Sequence, residues 1–234
     1  MKRGLLVTLF VLFVTAAFAQ DFEFKVPDYK QIQKEVQNKK SVYYYPLLKE
    51  RLSRYDASLT AADFQYLYYG YIFDKDYDPY RNFSKEDDLA LYLNREVLDP
   101  KDYDKIIELT KSAIQEFPFD IRMMNILAYL YHLKGDEEQS KKVSAIFHGI
   151  LNTIMHSGDG VTCETGFHVI VVGHEYVLLN MLELNNTGQS LVGNCDFIKI
   201  AATETFKIKG LYFNIEKMQE KNLGILTSKN NKDR

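Results

Sequence analysis

The chain has 234 residues, 46% of them hydrophobic and 26% charged, and its 29 Lys and Arg against 32 Asp and Glu leave a net charge of −3. That length is enough for one sizeable core or two small ones. A mildly acidic chain without a basic block argues against nucleic acid or anionic lipid as the partner.

Met1 to Ala19 has a basic start at Lys2-Arg3, an apolar run from Leu5 to Val14 and a small-x-small site at Ala17-Phe18-Ala19. This is the pattern of a secretory signal peptide, cleaved after Ala19. The run is short for a membrane span, and no other stretch is apolar enough to cross a bilayer. Cleavage leaves 234 − 19 = 215 residues and, without Lys2 and Arg3, a charge of −5.

Helices are expected along the next two thirds of the chain. Asp28 to Lys39 puts Tyr29, Ile32 and Val36 on one face, and Pro46 opens a second helix with Leu48, Leu52 and Tyr55. Thr60, with Asp63 in the capping-box position, starts a third that carries Phe64, Leu67, Tyr68 and Tyr71. Of 17 tyrosines, five lie between Tyr66 and Tyr77. Tyr68, Tyr69, Tyr71, Tyr77 and Tyr80 are therefore candidate ligand-binding residues, since an aromatic body with a hydroxyl tip can stack on and hydrogen-bond a glycan or peptide. The competing reading packs Tyr68 and Tyr71 between helices and leaves Tyr66 and Tyr69 facing water. Asp74 to Asp78 resembles the opening of a calcium loop, but Pro79 and Lys85 stand where glycine and a bidentate acid are needed.

Ser84 with Asp87 is expected to cap a short helix, and Asp99-Pro100 the one after it. From Tyr103 to Met155 three amphipathic helices follow, broken at Phe117-Pro118 and at Gly135-Asp136. Phe117-Pro118 and the spacing of Met124, Leu127, Ala128 and Tyr131 resemble a tetratricopeptide repeat over about one and a half units. Counted from Asp28, about seven helices are expected, ending near His156, with antiparallel hairpins as their natural packing.

Ser157 to Gly160 marks a boundary. Phe167 to Val172 reads as a buried strand, His174 to Leu184 as a helix, Asn185 to Gly188 as a turn, and Cys195 to Ile200 and Thr205 to Phe213 as two further strands with a bulge at Gly210. The expected fold is α+β, mainly α: a helical region over 20–156, a small strand-helix-strand-strand unit over 157–227, and a disordered tail over 228–234. Cys163 and Cys195 are either one disulfide or two buried thiols. Glu164, His168, His174 and Glu175 form the best candidate polar constellation, able to move a proton or hold a metal if they converge. Their spacing matches no metal motif, and the chain carries no cofactor fingerprint.

The segments LYYGY (Leu67 to Tyr71), Tyr77 to Tyr80, FHVIVVGHEY (Phe167 to Tyr176) and GLYFNI (Gly210 to Ile215) resemble an uncharacterised family of exported bacterial proteins, a domain of unknown function. The resemblance implies an envelope or periplasmic setting and no activity. The expectation is a binding module of the envelope, taking a protein, peptide or glycan; the alternative is an envelope hydrolase working through His168, His174 and Glu175.

Overall fold

The computed structural model describes residues 24–201 and 207–230, with side chains as far as 224. The signal-like segment 1–19 lies outside the described residues. Among them the fold is mainly α with one small mixed sheet.

The first helices begin where a cap precedes an apolar stripe. Helix α1 (Tyr29–Gln37) starts at Asp28, whose carboxylate accepts from the N–H groups of Lys30 and Gln31 at 3.0 Å, and it buries Ile32 and Val36. Helix α2 (Tyr45–Ser53) carries Pro46 in its first turn and buries Tyr45, Leu48 and Leu52. Helix α3 (Ala61–Gly70) opens on a complete capping box between Thr60 and Asp63. Helix α4 (Glu86–Leu93) departs from expectation: Ser84 does not cap it, because its hydroxyl donates to Glu116 instead.

Helix α5 (Tyr103–Glu116) follows a single 3-10 turn started by Asp99 and stops before Phe117-Pro118. Asp120 caps α6 (Ile121–Leu133), and Gly135 turns the chain with φ +76° before Asp136 caps α7 (Glu137–Met155). The most extensive helix packing is α6 against α7, with α5 on the other flank of α6. Helix α3 is the hub, packed on α1, α2 and α7. It approaches α7 closely because Gly149 faces the Phe64 ring; a Cβ there would lie 2.2 Å from that ring.

After α7 come β1 (Phe167–His168), α8 (Gly173–Met181), β2 (Asn186–Val192), β3 (Cys195–Ile200), β4 (Gly210–Asn214) and α9 (Glu216–Asn230). The sheet order is β1-β4-β3-β2, with β1 parallel to β4 and the other pairs antiparallel. Buried residues from both sides of Ser157 share one core, from Leu48, Leu67 and Ile150 to Ile198, Phe213 and Met218. A smaller cluster, Leu89, Ile106, Leu109 and Met123 among its members, fills the space between α4, α5 and α6.

Several expectations need correction here. Only Phe167 and His168 pair as a strand; Val169 to Val171 are buried as expected, Val172 is half-buried, and their backbone groups bond in other ways. Asn186 to Gly188, expected as a turn, opens β2, and the sheet irregularity falls at that end and not at Gly210, which pairs regularly with Lys199. Ser228 to Asn230, expected in a disordered tail, are the last residues of α9, while 231–234 lie outside the described residues.

Cys163 and Cys195 are joined as a disulfide, with Cα atoms 5.8 Å apart, tying the loop before β1 to the start of β3. The folded, oxidised chain is expected to take up no iodoacetamide until reductant is added, and then to be labelled at both cysteines. Intact-mass measurement before and after reduction checks this.

Candidate functional site

The tyrosines that sequence placed on a ligand surface are core residues. Tyr68 and Tyr69 are fully buried, and Tyr71 and Tyr77 are 2% and 3% exposed. None of the four can touch a ligand, so a tyrosine-lined groove is ruled out; Tyr80 alone of the five is exposed. The expectation that Tyr69 faces water fails with it. Tyr66 is half-buried and stacks on Tyr43, ring centroids 3.9 Å apart.

What these residues do instead is replace a missing strand ladder. The segment Val169 to Val171 passes through the interior, where every backbone polar group needs a partner. Tyr77 donates its hydroxyl to the Ile170 carbonyl at 2.8 Å, and the Tyr68 hydroxyl oxygen accepts from the Ile170 N–H at 3.3 Å. Tyr69 directs its hydroxyl at the carbonyls of His168 and Thr153, each at 3.3 Å. The Val172 N–H donates to the Pro79 carbonyl, and that of Val169 to Asn214.

His174 belongs to the same seam. Its Nε2 lies 2.8 Å from the Phe119 carbonyl and its Nδ1 2.7 Å from the Tyr68 hydroxyl. A carbonyl only accepts, so Nε2 carries the proton. Nδ1 then accepts from Tyr68, whose own oxygen is already engaged by Ile170. Burial pushes the imidazole pKa down to about 4, which keeps this neutral tautomer.

His168 sits apart from His174. Its ring is buried near Tyr29, centroids 6.4 Å apart, and burial with the charge of Lys217 lowers its pKa to about 4. Glu175 is fully buried against β3, where it faces Asp196; burial first and that neighbour second raise its pKa to about 9. No donor meets either Glu175 oxygen in hydrogen-bond geometry. Asp196, half-buried and also raised by burial, accepts from Gln189 Nε2 at 2.9 Å. Glu164 is exposed on the preceding loop. The expected constellation of Glu164, His168, His174 and Glu175 therefore does not converge: each has its own surroundings. No group of three or more His, Cys, Asp or Glu able to hold a metal occurs among the described residues.

Two of the surface clefts bear on the site. A cleft of about 450 Å³ between the 79–83 loop and the starts of α6 and α8 is lined by Tyr80, Arg81, Asn82, Asp120, Arg122 and His174. Its polar groups are largely engaged already. Arg81 donates to the Glu116 and Asp76 carbonyls, Arg122 lies 3.5 Å from Glu86, and Asp120 caps α6.

The second feature is a groove of about 770 Å³ that sequence reasoning did not single out. Because α2 packs on α3 while α5 packs on α4 and α6, α2 and α5 face one another across open space. Asp104, Ile107, Glu108, Lys111, Ser112 and Gln115 all line it. Their spacing of i, i+3, i+4, i+7, i+8 and i+11 is one continuous face of α5, about 16 Å long at 1.5 Å per residue. Leu52, Tyr55, Ile114, Pro118 and Met124 supply apolar lining, and Lys49, Ser53 and Lys85 complete the rim. Tyr55 is held there at φ +53°, in the position after a helix end where glycine is usual. The signal for this groove was present in the polar face of α5, but only the position of α2 turns that face into a wall.

Compared with known proteins, the chain matches the model of a domain of unknown function (DUF4919) over residues 30–223, 194 of its 234 residues. The chain belongs to the DUF4919 family. No match was found among curated proteins or among solved structures. The DUF4919 match spans the buried seam, the disulfide and the α2–α5 groove alike. No helix among the described residues is long and apolar enough to cross a membrane.

Proposed function

We propose that this DUF4919 protein is an exported binding module of the bacterial envelope, and that its binding site is the α2–α5 groove. The observation that carries the reading is the groove itself: a continuous α5 face of about three turns, with apolar lining and a charged rim, left unfilled by the packing of the described residues. A cleft of this size with a few polar groups around apolar ones is the usual form of a ligand site. Helical hairpins of the tetratricopeptide kind bind peptides in such concave surfaces. Export is supported by the signal-like residues 1–19 and by the Cys163–Cys195 bridge, which suits an oxidising compartment. The hydrolase alternative required His168, His174 and Glu175 at one cavity, and these groups point into separate surroundings.

A photoreactive amino acid placed at Ser112, on the groove wall, tests the reading in cells that export the protein, with the same residue at Gln33 on the outer face of α1 as control. Discrete adducts from position 112 and none from position 33 are expected. Adducts at neither position, or equally at both, would overturn the assignment.

A further inference from the structure

Resting on that reading, we infer that the occupant of the groove is an extended, acidic peptide segment of a partner protein, carrying carboxylates flanked by apolar side chains. The acids that line the groove are already matched: Asp104 pairs with Lys134, and Glu108 with Lys105 at 3.0 Å. Lys49 is likewise committed, 2.7 Å from Asp74. Two cations are left over.

Lys111, midway along the α5 wall, and Lys85, at the start of α4, are both exposed, and neither makes a salt bridge among the described residues. Lys85 is close enough to Glu116 to help lower its pKa, behind the hydrogen bonds from Ser84 that dominate that shift, and Ser84 already occupies both Glu116 oxygens. The rim thus presents two ammonium groups without a salt bridge beside an apolar floor, Lys111 on the α5 wall and Lys85 in the field of the Glu116 carboxylate. Carboxylates on the occupant would give both ammonium groups a salt-bridge partner, while a basic segment would meet their repulsion.

Length and shape fit the same class. A wall of about 16 Å takes about five residues of extended chain at roughly 3.3 Å each. A glycan is less suited, because among the described residues Tyr55 is the only aromatic ring on the lining and stacking platforms are what sugars use. Side-chain specificity would come from Ile107, Ile114 and Met124 below and from Lys85 and Lys111 at the edge.

The test is selection of a random peptide display library on the oxidised mature chain, residues 20–234, followed by affinity measurement on single clones. Enriched clones should carry Asp or Glu among apolar residues. They should lose about tenfold in affinity on the Lys85→Gln/Lys111→Gln double variant, whose two substitutions are exposed and leave the core untouched. Their affinity should also fall with added salt. No enrichment, enrichment without acids, or acidic clones that bind the double variant equally well would each overturn the acidic class. If the adducts from position 112 persist in that case, the groove remains the site and only the occupant's chemistry is wrong.

Discussion

Replacing Glu175 by Gln is expected to raise the stability of the folded chain by about 3 kcal/mol at pH 7, with the gain vanishing near pH 4. In the unfolded chain Glu175 titrates at its ordinary value of 4.5, whereas in the folded chain it stays protonated to about 9. Between those values the folded state binds the extra proton, so stability is lost as pH rises through that window. At pH 7 the unfolded side chain is about 2.5 pH units above its pKa, and at about 1.36 kcal/mol per unit this sets the figure. Glutamine has the same shape and no charge to lose, so the cost disappears.

His168 and His174 act in the opposite direction. Their folded pKa values lie near 4 against an ordinary 6.5, so the unfolded chain takes up their protons first and stability is lost as pH falls from 6.5 towards 4. These three groups together place the wild-type maximum near pH 6.5. Thermal midpoints of wild type and Glu175→Gln between pH 4 and 9 measure both arms. Parallel curves for the two proteins would show that Glu175 is ionised in the fold.

Tyr68→Phe should cost about 4 kcal/mol, because it leaves two buried groups without partners at about 2 kcal/mol each. One is the His174 Nδ1 lone pair, which loses its donor at 2.7 Å. The other is the Ile170 N–H, which loses its acceptor at 3.3 Å. Phenylalanine keeps the ring contacts with Tyr69 and Phe119, so the loss isolates the hydroxyl. Tyr80→Phe, at an exposed hydroxyl that accepts from Asn222, should change stability by less than about 0.5 kcal/mol. Urea denaturation of both variants gives the comparison, and equal effects would mean that the Tyr68 hydroxyl plays no structural part.

The helices were legible because their caps and stripes are local. Asp28, Thr60 with Asp63, Asp120 and Asp136 each sit at the start of the helix that they satisfy. The tyrosines were misread for a reason of context. A one-face stripe presumes one buried side, and α3 is packed on α1, α2 and α7 and also against the 168–170 segment, so Tyr69 is as buried as Tyr68. The strand expected at Phe167 to Val172 shrank because tyrosine hydroxyls took over bonds that a neighbouring strand would have made. Strand β2 gave no alternation to read, being exposed along most of its length, and its one cue was the Gly193-Asn194 hairpin turn, with Gly193 at φ +61°. Asp196, the partner of Glu175, carries no local signal at all; β3 and α8 meet only in the fold.

Tyr68, Tyr69, Tyr77 and His174 form a structural seam, and the proposed binding groove lies elsewhere, between α2 and α5. Hydrogen–deuterium exchange, with and without an acidic peptide from the display selection, tests both halves at once. The amides of 66–71 and 167–176 should exchange only through global unfolding whether or not peptide is present. Protection on binding should appear in 47–55 and 104–118. Protection confined to 79–83 and 173–177, around the Tyr80 and His174 cleft, would contradict the account and move the site to that cleft.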